Sequence, residues 1–169
     1  MKILQVVGYK NSGKTTISKE IIRYFTSKGI KVGSLKHHGH GGTPLGMEFT
    51  DSAQHQKAGS KIAGVLGENI FQLSHVNKWE IEDMLAVYQY LKIEFLILEG
   101  FKELAYPKLV LLRNQDDVSL LTSLTNIIGI IKPCDIHIEN KDTSIFRLEN
   151  TGGICEWLYQ HHYVQGEIR

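Results

Sequence analysis

Apolar residues along this chain follow two rhythms, and their alternation sets the expected fold. Ile3, Leu4, Val6 and Val7 form a short apolar run, the mark of a buried strand. Over residues 16–28 the spacing changes to Ile17, Ile21, Ile22 and Phe25, one face of a helix, with Lys19, Glu20 and Arg23 elsewhere. Gly29 stands where a helix closes on a left-handed residue, with Lys28 in the last turn. Residues 30–35 read as a second strand, and a strand–helix–strand unit implies parallel pairing with a right-handed crossover. A short helix is expected over 51–58 with Asp51 as its N-cap. Residues 60–66 and 69–73, split by Gly67-Glu68, predict an antiparallel hairpin. Residues 80–90 predict a helix with Ile81, Met84, Leu85 and Tyr88 on one face. Buried strands are expected at 94–99, 109–112 and 127–131, and Asn150-Thr151-Gly152-Gly153 leads into a terminal helix over 154–162. Strands alternating with helices indicate an α/β fold with a mainly parallel sheet plus an antiparallel hairpin. Ligands of such sheets bind outside the carboxyl ends of the strands. Thr15, Lys36, Glu99 and Arg113 are all expected at that edge, with Arg113 the one arginine that ends a strand there.

The link between the first strand and the first helix carries the chemistry. Gly8-Tyr9-Lys10-Asn11-Ser12-Gly13-Lys14-Thr15 matches G-x-x-x-x-G-K-[ST], a phosphate-binding loop, and sits between the strand and helix that such a loop requires. Gly8 and Gly13 permit backbone angles and close approaches that a Cβ would block. The N–H groups of the loop, from Lys10, Asn11 and Ser12 to Lys14 and Thr16, then form a nest for an anion with the positive end of the helix behind it. Lys14 is placed to reach the β- and γ-phosphates, and the Thr15 hydroxyl to ligate Mg²⁺. The whole is a three-layer fold of the P-loop NTPase kind, expected as one nucleotide-binding domain over residues 1–169.

Phe95-Leu96-Ile97-Leu98-Glu99 resembles a Walker B strand, four apolar residues and then a carboxylate that would hold Mg²⁺ opposite Thr15. Glu99 stands where Asp is common. Lys36 is a candidate for anionic phosphate, and Asp51 for Mg²⁺ or an attacking water. His37, His38 and His40, with Asp51 and His55, meet no standard metal spacing. They fit nucleotide or substrate contact, a metal site or a solvated Gly-rich loop. Arg113 fits a phosphate contact or an ordinary surface cation. Asn140-Lys141-Asp142 is one residue short of the guanine-reading NKxD pattern, and Lys132-Pro133-Cys134-Asp135 is not a clean KxD, so no standard motif states the base.

Composition narrows the function classes. The chain has 169 residues, 42% hydrophobic and 22% charged, an ordinary globular balance. A formal net charge of +1 offers no basic field for nucleic acid and no acidic tail. No apolar stretch approaches the ~18 residues of a membrane span, and the first apolar run stops at Val7, so no signal peptide is expected. Cys134 and Cys155 share no CxxC spacing and read as reduced thiols of a cytoplasmic protein.

Four stretches together resemble the MobB family, molybdopterin-guanine dinucleotide biosynthesis protein B: GYKNSGKTT, KHHGH after the second strand, DSAQHQKAG from Asp51, and LILEGFK followed by Pro107-Lys108. The likeness covers roughly residues 1–113. It implies a GTP-binding P-loop protein that assists molybdenum cofactor maturation, with GTP and Mg²⁺ as cofactors. The partner is the MobA nucleotidyltransferase, which joins GMP to molybdopterin; molybdopterin itself or molybdoenzyme maturation proteins are further partners it leaves open. The family's binding residues carry over to Gly13, Lys14, Thr15, Thr16 and Glu99, and to Lys36, His37, Asp51 and Gly100. The family is typically dimeric, which implies a homodimer in which the 60–73 hairpin could supply an exchanged edge. The leading reading is an accessory protein with slow GTPase activity, in which Lys14, Glu99 and Arg113 would serve catalysis. An ATP-dependent small-molecule kinase is the alternative. It would need an arginine-rich lid, whereas the chain has only Arg23, Arg113, Arg147 and Arg169. An adaptor whose nucleotide is purely structural is a third.

Overall fold

The computed structural model describes residues 1–37, 50–139 and 143–165. His38 and His40, the 140–142 segment and Arg169 lie outside the described residues. Internal contacts divide the chain into two compact units, residues 1–37 with 87–169, and residues 38–86.

The first unit is built on a six-stranded, wholly parallel sheet. Its strands are β1 (Lys2–Gly8), β2 (Val32–Lys36), β5 (Phe95–Glu99), β6 (Lys108–Leu111), β7 (Ile127–Ile131) and β8 (Ser144–Phe146), in the order β2-β5-β1-β6-β7-β8. β1 lies at the centre, and because all strands are parallel their carboxyl ends share one edge. Side-chain alternation gives the sheet two faces. Leu4, Val6, Ile97, Leu109, Leu111 and Ile131 pack with Ile17, Ile21 and Phe25 of helix α1 (Lys14–Ser27) and with Ile154 and Leu158 of the C-terminal helix. Val7, Val110 and Ile130 pack with Leu120 and Ile136 on the other face. The expected three layers are therefore present. Phe25 stacks on Phe95 with ring centroids 4.3 Å apart, so the first helix is keyed into the sheet by an aromatic pair.

Helix ends explain where the elements differ from the sequence expectation. α1 begins at Lys14 rather than at 16, because Gly13 itself takes the N-cap position with φ +88°. At its other end Gly29 donates to the Thr26 carbonyl and Ile30 to the Phe25 carbonyl, a Schellman closure around Gly29 at φ +80°. That closure uses Ile30, so β2 starts at Val32 and not at residue 30. The C-terminal helix is α5 (Thr151–Trp157), which continues as a π-helical segment over Leu158–Val164. It starts earlier than expected because the Asn150 side chain accepts from the Gly153 N–H and so acts as N-cap. A 3₁₀ turn (Gln115–Ser119) and helix α4 (Leu120–Ser123) follow β6; neither these nor β8 was legible in the periodicity.

The second unit holds α2 (Asp51–Lys57) and the hairpin β3 (Ile62–Leu66) and β4 (Phe71–His75), antiparallel as expected. Helix α3 (Ile81–Tyr90) runs from this unit into the first. Asp51 is not the N-cap. Thr50 is: its backbone is extended, and its Oγ1 accepts from the Ala53 N–H at 3.2 Å. Asp51 is then the first helical residue, where its carboxylate faces the positive end of the helix.

Candidate functional site

The site assembles at the carboxyl edge of β1, β2 and β5, and each strand delivers one piece. β1 ends at Gly8, which opens the loop. A Cβ on Gly8 would lie 2.7 Å from the Leu111 carbonyl oxygen and 2.5 Å from Ser12 Oγ, so the close approach of β6 excludes any side chain there. Asn11 at φ +62° and Gly13 at φ +88° turn the chain back onto α1. No side chain caps α1, so the helix presents its first N–H groups to the loop without a competing acceptor. Ser12 Oγ is buried without a hydrogen-bond partner among the described residues. Uncapped donors and an orphaned hydroxyl around a left-handed turn suit an anion that brings its own oxygens.

The charges are arranged to match. Thr15 Oγ1 donates to the Glu99 carboxylate at 2.9 and 3.2 Å, and Lys36 Nζ sits 3.1 Å from Glu99 Oε1. Parallel register puts Lys36 directly beside Glu99, and Glu99 beside Val6. Glu99 is almost fully buried, whereas Lys36 is exposed. Burial lowers the pKa of the Lys14 ammonium; Glu99 opposes that shift, and Lys102, Lys36 and Arg113 add to it. Lys36 thus pairs with Glu99 and Lys14 feels its charge, while Lys102 and Arg113 lie close enough to act on the Lys14 ammonium, an excess of positive charge that a polyphosphate would neutralise. The donor set of Thr15 and Glu99 is oxygen only, a hydroxyl against a carboxylate. That suits a hard cation such as Mg²⁺, which keeps most of its own water. Among the described residues no three His, Cys, Asp or Glu side chains come together to hold a metal by themselves.

The remaining sequence candidates fall in different places. Gly100, at φ +91°, follows the acid and donates its N–H to the Val6 carbonyl. His37 donates its N–H to the Glu99 carbonyl and lays its ring 5.0 Å from that of Phe101. Both therefore frame Glu99. Arg113 is engaged: its guanidinium makes two 2.8 Å bonds to the Asp117 carboxylate and donates to the Lys10 carbonyl at 3.0 Å. It braces the backbone of the loop between β1 and α1 as it stands. Nor is it alone at the edge, since Arg147 follows β8, a strand the sequence pattern did not show. Asp51 and His55 belong to α2 in the second unit.

Three site residues escaped the sequence reading. Gln5 is fully buried in β1; its Nε2 donates to the Phe101 carbonyl at 2.6 Å and its Oε1 accepts from the Tyr106 N–H at 3.0 Å. Lys108, equally buried in β6, donates to the Leu104 and Tyr106 carbonyls. Together they staple the loop that follows Glu99. A glutamine and a lysine inside apolar strands were the available signal. Asp117, the third, accepts from both the backbone and the side chain of Arg113. Arg113 holds its carboxyl below the ordinary value. The stabilisation is therefore present above the unfolded-state pKa and lost as pH falls through the lower folded-state value. Asp117→Asn is expected to lower Tm at pH 7 and to shrink the difference between Tm at pH 7 and at pH 3; equal differences in variant and parent would refute it.

A family model described as molybdopterin guanine dinucleotide synthesis protein B matches residues 3–133. A probable molybdopterin-guanine dinucleotide biosynthesis adapter protein of Bacillus subtilis is 37% identical over 150 residues, 88% of this chain and 86% of that protein. The crystal structure of Bacillus subtilis MobB superposes with a TM-score of 0.80 at 33% identity, over 95% of this chain and 98% of that one. A MobB homologue from Bacillus stearothermophilus gives 0.77 at 29% identity, over 95% and 97%. No helix among the described residues is long and apolar enough to cross a membrane.

Proposed function

Because the chain belongs to the MobB family of molybdopterin guanine dinucleotide biosynthesis proteins, we propose that it is a cytoplasmic GTP-binding accessory protein with slow Mg²⁺-dependent GTPase activity, working beside the MobA nucleotidyltransferase. One observation carries the nucleotide reading: Thr15, Glu99 and Lys36 are in direct contact at the mouth of an uncapped, glycine-turned loop that also carries Lys14. In this reading the N–H groups of residues 10–16 hold the phosphates, and Lys14 and Lys36 neutralise their charge. Thr15 and Glu99 hold Mg²⁺. Mg²⁺ when bound draws off charge that develops on the phosphoryl oxygens.

Slow turnover is expected from the arrangement of cations. Arginines can contribute ~10³–10⁵ to phosphoryl transfer, yet Arg113 is committed to Asp117 and Lys10, and Arg23 pairs with Glu20 on α1. The same commitment weakens the kinase reading, which needs arginines free to close over substrate; Arg147, after β8, is the arginine at this edge that it does not cover. A homodimer is proposed on the second unit's hairpin. Ile62, Leu66, Phe71 and Leu73 share one face by register, and Leu66 is 80% and Phe71 62% exposed, an apolar face that water does not favour. α2 lies on the opposite face, where Gln56 and Ser74 exchange hydrogen bonds.

Binding of GTP and ATP with Mg²⁺, and hydrolysis by the isolated protein against increasing MobA, test the reading together. GTP preference, a rate far below that of a kinase and acceleration by the partner are expected. Fast turnover by the dilute protein alone, surviving Arg113→Ala, would count against an accessory role.

A further inference from the structure

A cavity of about 310 Å³ shares Asn11, Ser12 and Gly13 with the phosphate loop and extends past it, by way of Arg113, to Leu148 and Glu149, which the phosphate chemistry does not use. It opens between Asn11-Ser12-Gly13 on one side and the turn after β8 on the other. The two sides touch: a Cβ on Gly13 would lie 2.9 Å from Leu148 Cδ2. The ends of β6 and β7 contribute Leu112 and Ile131, both buried and apolar. Lys132 and Pro133 complete a wall. The Lys132 ammonium donates to the Ile136 carbonyl at 2.8 Å, which leaves its methylene stem as the surface it offers. Glu149, exposed at the rim, has no hydrogen-bond or ion-pair partner among the described residues.

We infer that this cavity receives the base of the bound nucleotide and that Glu149 selects guanine. The inference rests on the phosphate-loop reading above and adds to it a base subsite and a specificity residue. Apolar walls of Leu148 and the Lys132 stem suit the two flat faces of a purine. A carboxylate at the rim is an acceptor only. The Watson–Crick edge of guanine offers it two adjacent donors, N1–H and the 2-amino group. Adenine sets a lone pair on N1 against it and keeps one donor. Inosine lacks the 2-amino group and falls between. The position also accounts for the lack of a standard guanine motif: the reading carboxylate comes from the turn after β8, a strand that sequence periodicity did not reveal.

The test is competition binding at fixed Mg²⁺ with GTP, ITP, XTP, ATP and inorganic tripolyphosphate, on the parent chain, Glu149→Ala and Glu149→Gln. The parent is expected to rank GTP above ITP above ATP. Glu149→Ala should weaken GTP about 10- to 100-fold, the range for loss of charge-assisted hydrogen bonds, and leave tripolyphosphate unchanged. Glu149→Gln should shift preference toward XTP, because the amide N–H can donate to the C2 carbonyl of xanthine while its oxygen accepts from N1–H. If Glu149→Ala keeps the parent's ratios among the nucleotides while tripolyphosphate still binds, the base subsite is wrong and the phosphate loop stands. If neither nucleotide nor tripolyphosphate binds the parent chain, the phosphate-loop reading fails and takes this assignment with it.

Discussion

Lys14→Ala is expected to lower the affinity for GTP with Mg²⁺ by about 100-fold or more, the loss of charge-assisted contacts to two phosphates. The fold should not suffer. Lys14 occupies the first turn of α1, and among the described residues its ammonium donates only to the Tyr9 carbonyl. Burial already lowers its pKa, and the nearby cations press the same way. A lysine whose folded-state pKa lies below its unfolded value makes folding less favourable at neutral pH, where it is charged. Its removal should therefore leave Tm unchanged or raise it slightly. The pH dependence has a definite sign. Phosphate binding favours charged Lys14, so affinity should hold at neutral pH and fall as pH rises through the lowered pKa of the free site, below the range of an ordinary lysine. Calorimetric titration with GTP at several pH values, beside thermal unfolding of the free protein, checks both parts. Near-parental GTP affinity in the variant would sink the phosphate-loop assignment.

What the sequence could show, and what it could not, divides along a physical line. The tight link from β1 to α1 was legible because it is local: Gly8, Gly13, Lys14 and Thr15 lie within eight consecutive residues, between a strand and a helix that their neighbours predict. Glu99 was legible because four buried apolar residues precede it, so its place at a strand end follows from the strand. Residues whose role is set by pairing across the sheet were not. Gln5 and Lys108 interrupt apolar runs, yet only the parallel register of β1 with β6 shows that both fasten the same loop. Asp117 lies in a 3₁₀ turn that has no periodicity to detect. β8, with three residues, is too short for alternation to register, and with it went Arg147 and Glu149. Asp51 was read as the cap one residue late because Thr and Asp are both good caps; Thr50 prevails by taking extended backbone angles.

Glu99→Gln keeps the shape of the site and removes the charge on which it is centred. Three groups depend on that charge. Thr15 donates to it, Lys36 pairs with it at 3.1 Å, and it opposes the fall in the Lys14 pKa. A carboxamide can still accept from Thr15, but it gives Mg²⁺ no anionic ligand and leaves the surrounding cations without a counterion. Two effects therefore separate. Free phosphate-loop cations should bind triphosphate without Mg²⁺ as well as before or better, because less negative charge faces the ligand. Binding promoted by Mg²⁺ should weaken, and hydrolysis should fall by about 100-fold, the scale for losing one preorganised electrostatic contact in the transition state. The fold should survive, since Lys36 is exposed and can return to water. GTP affinity measured with Mg²⁺ and with EDTA, alongside single-turnover hydrolysis, resolves the two. Unchanged hydrolysis with an unchanged Mg²⁺ requirement would remove Glu99 from the metal-linked role.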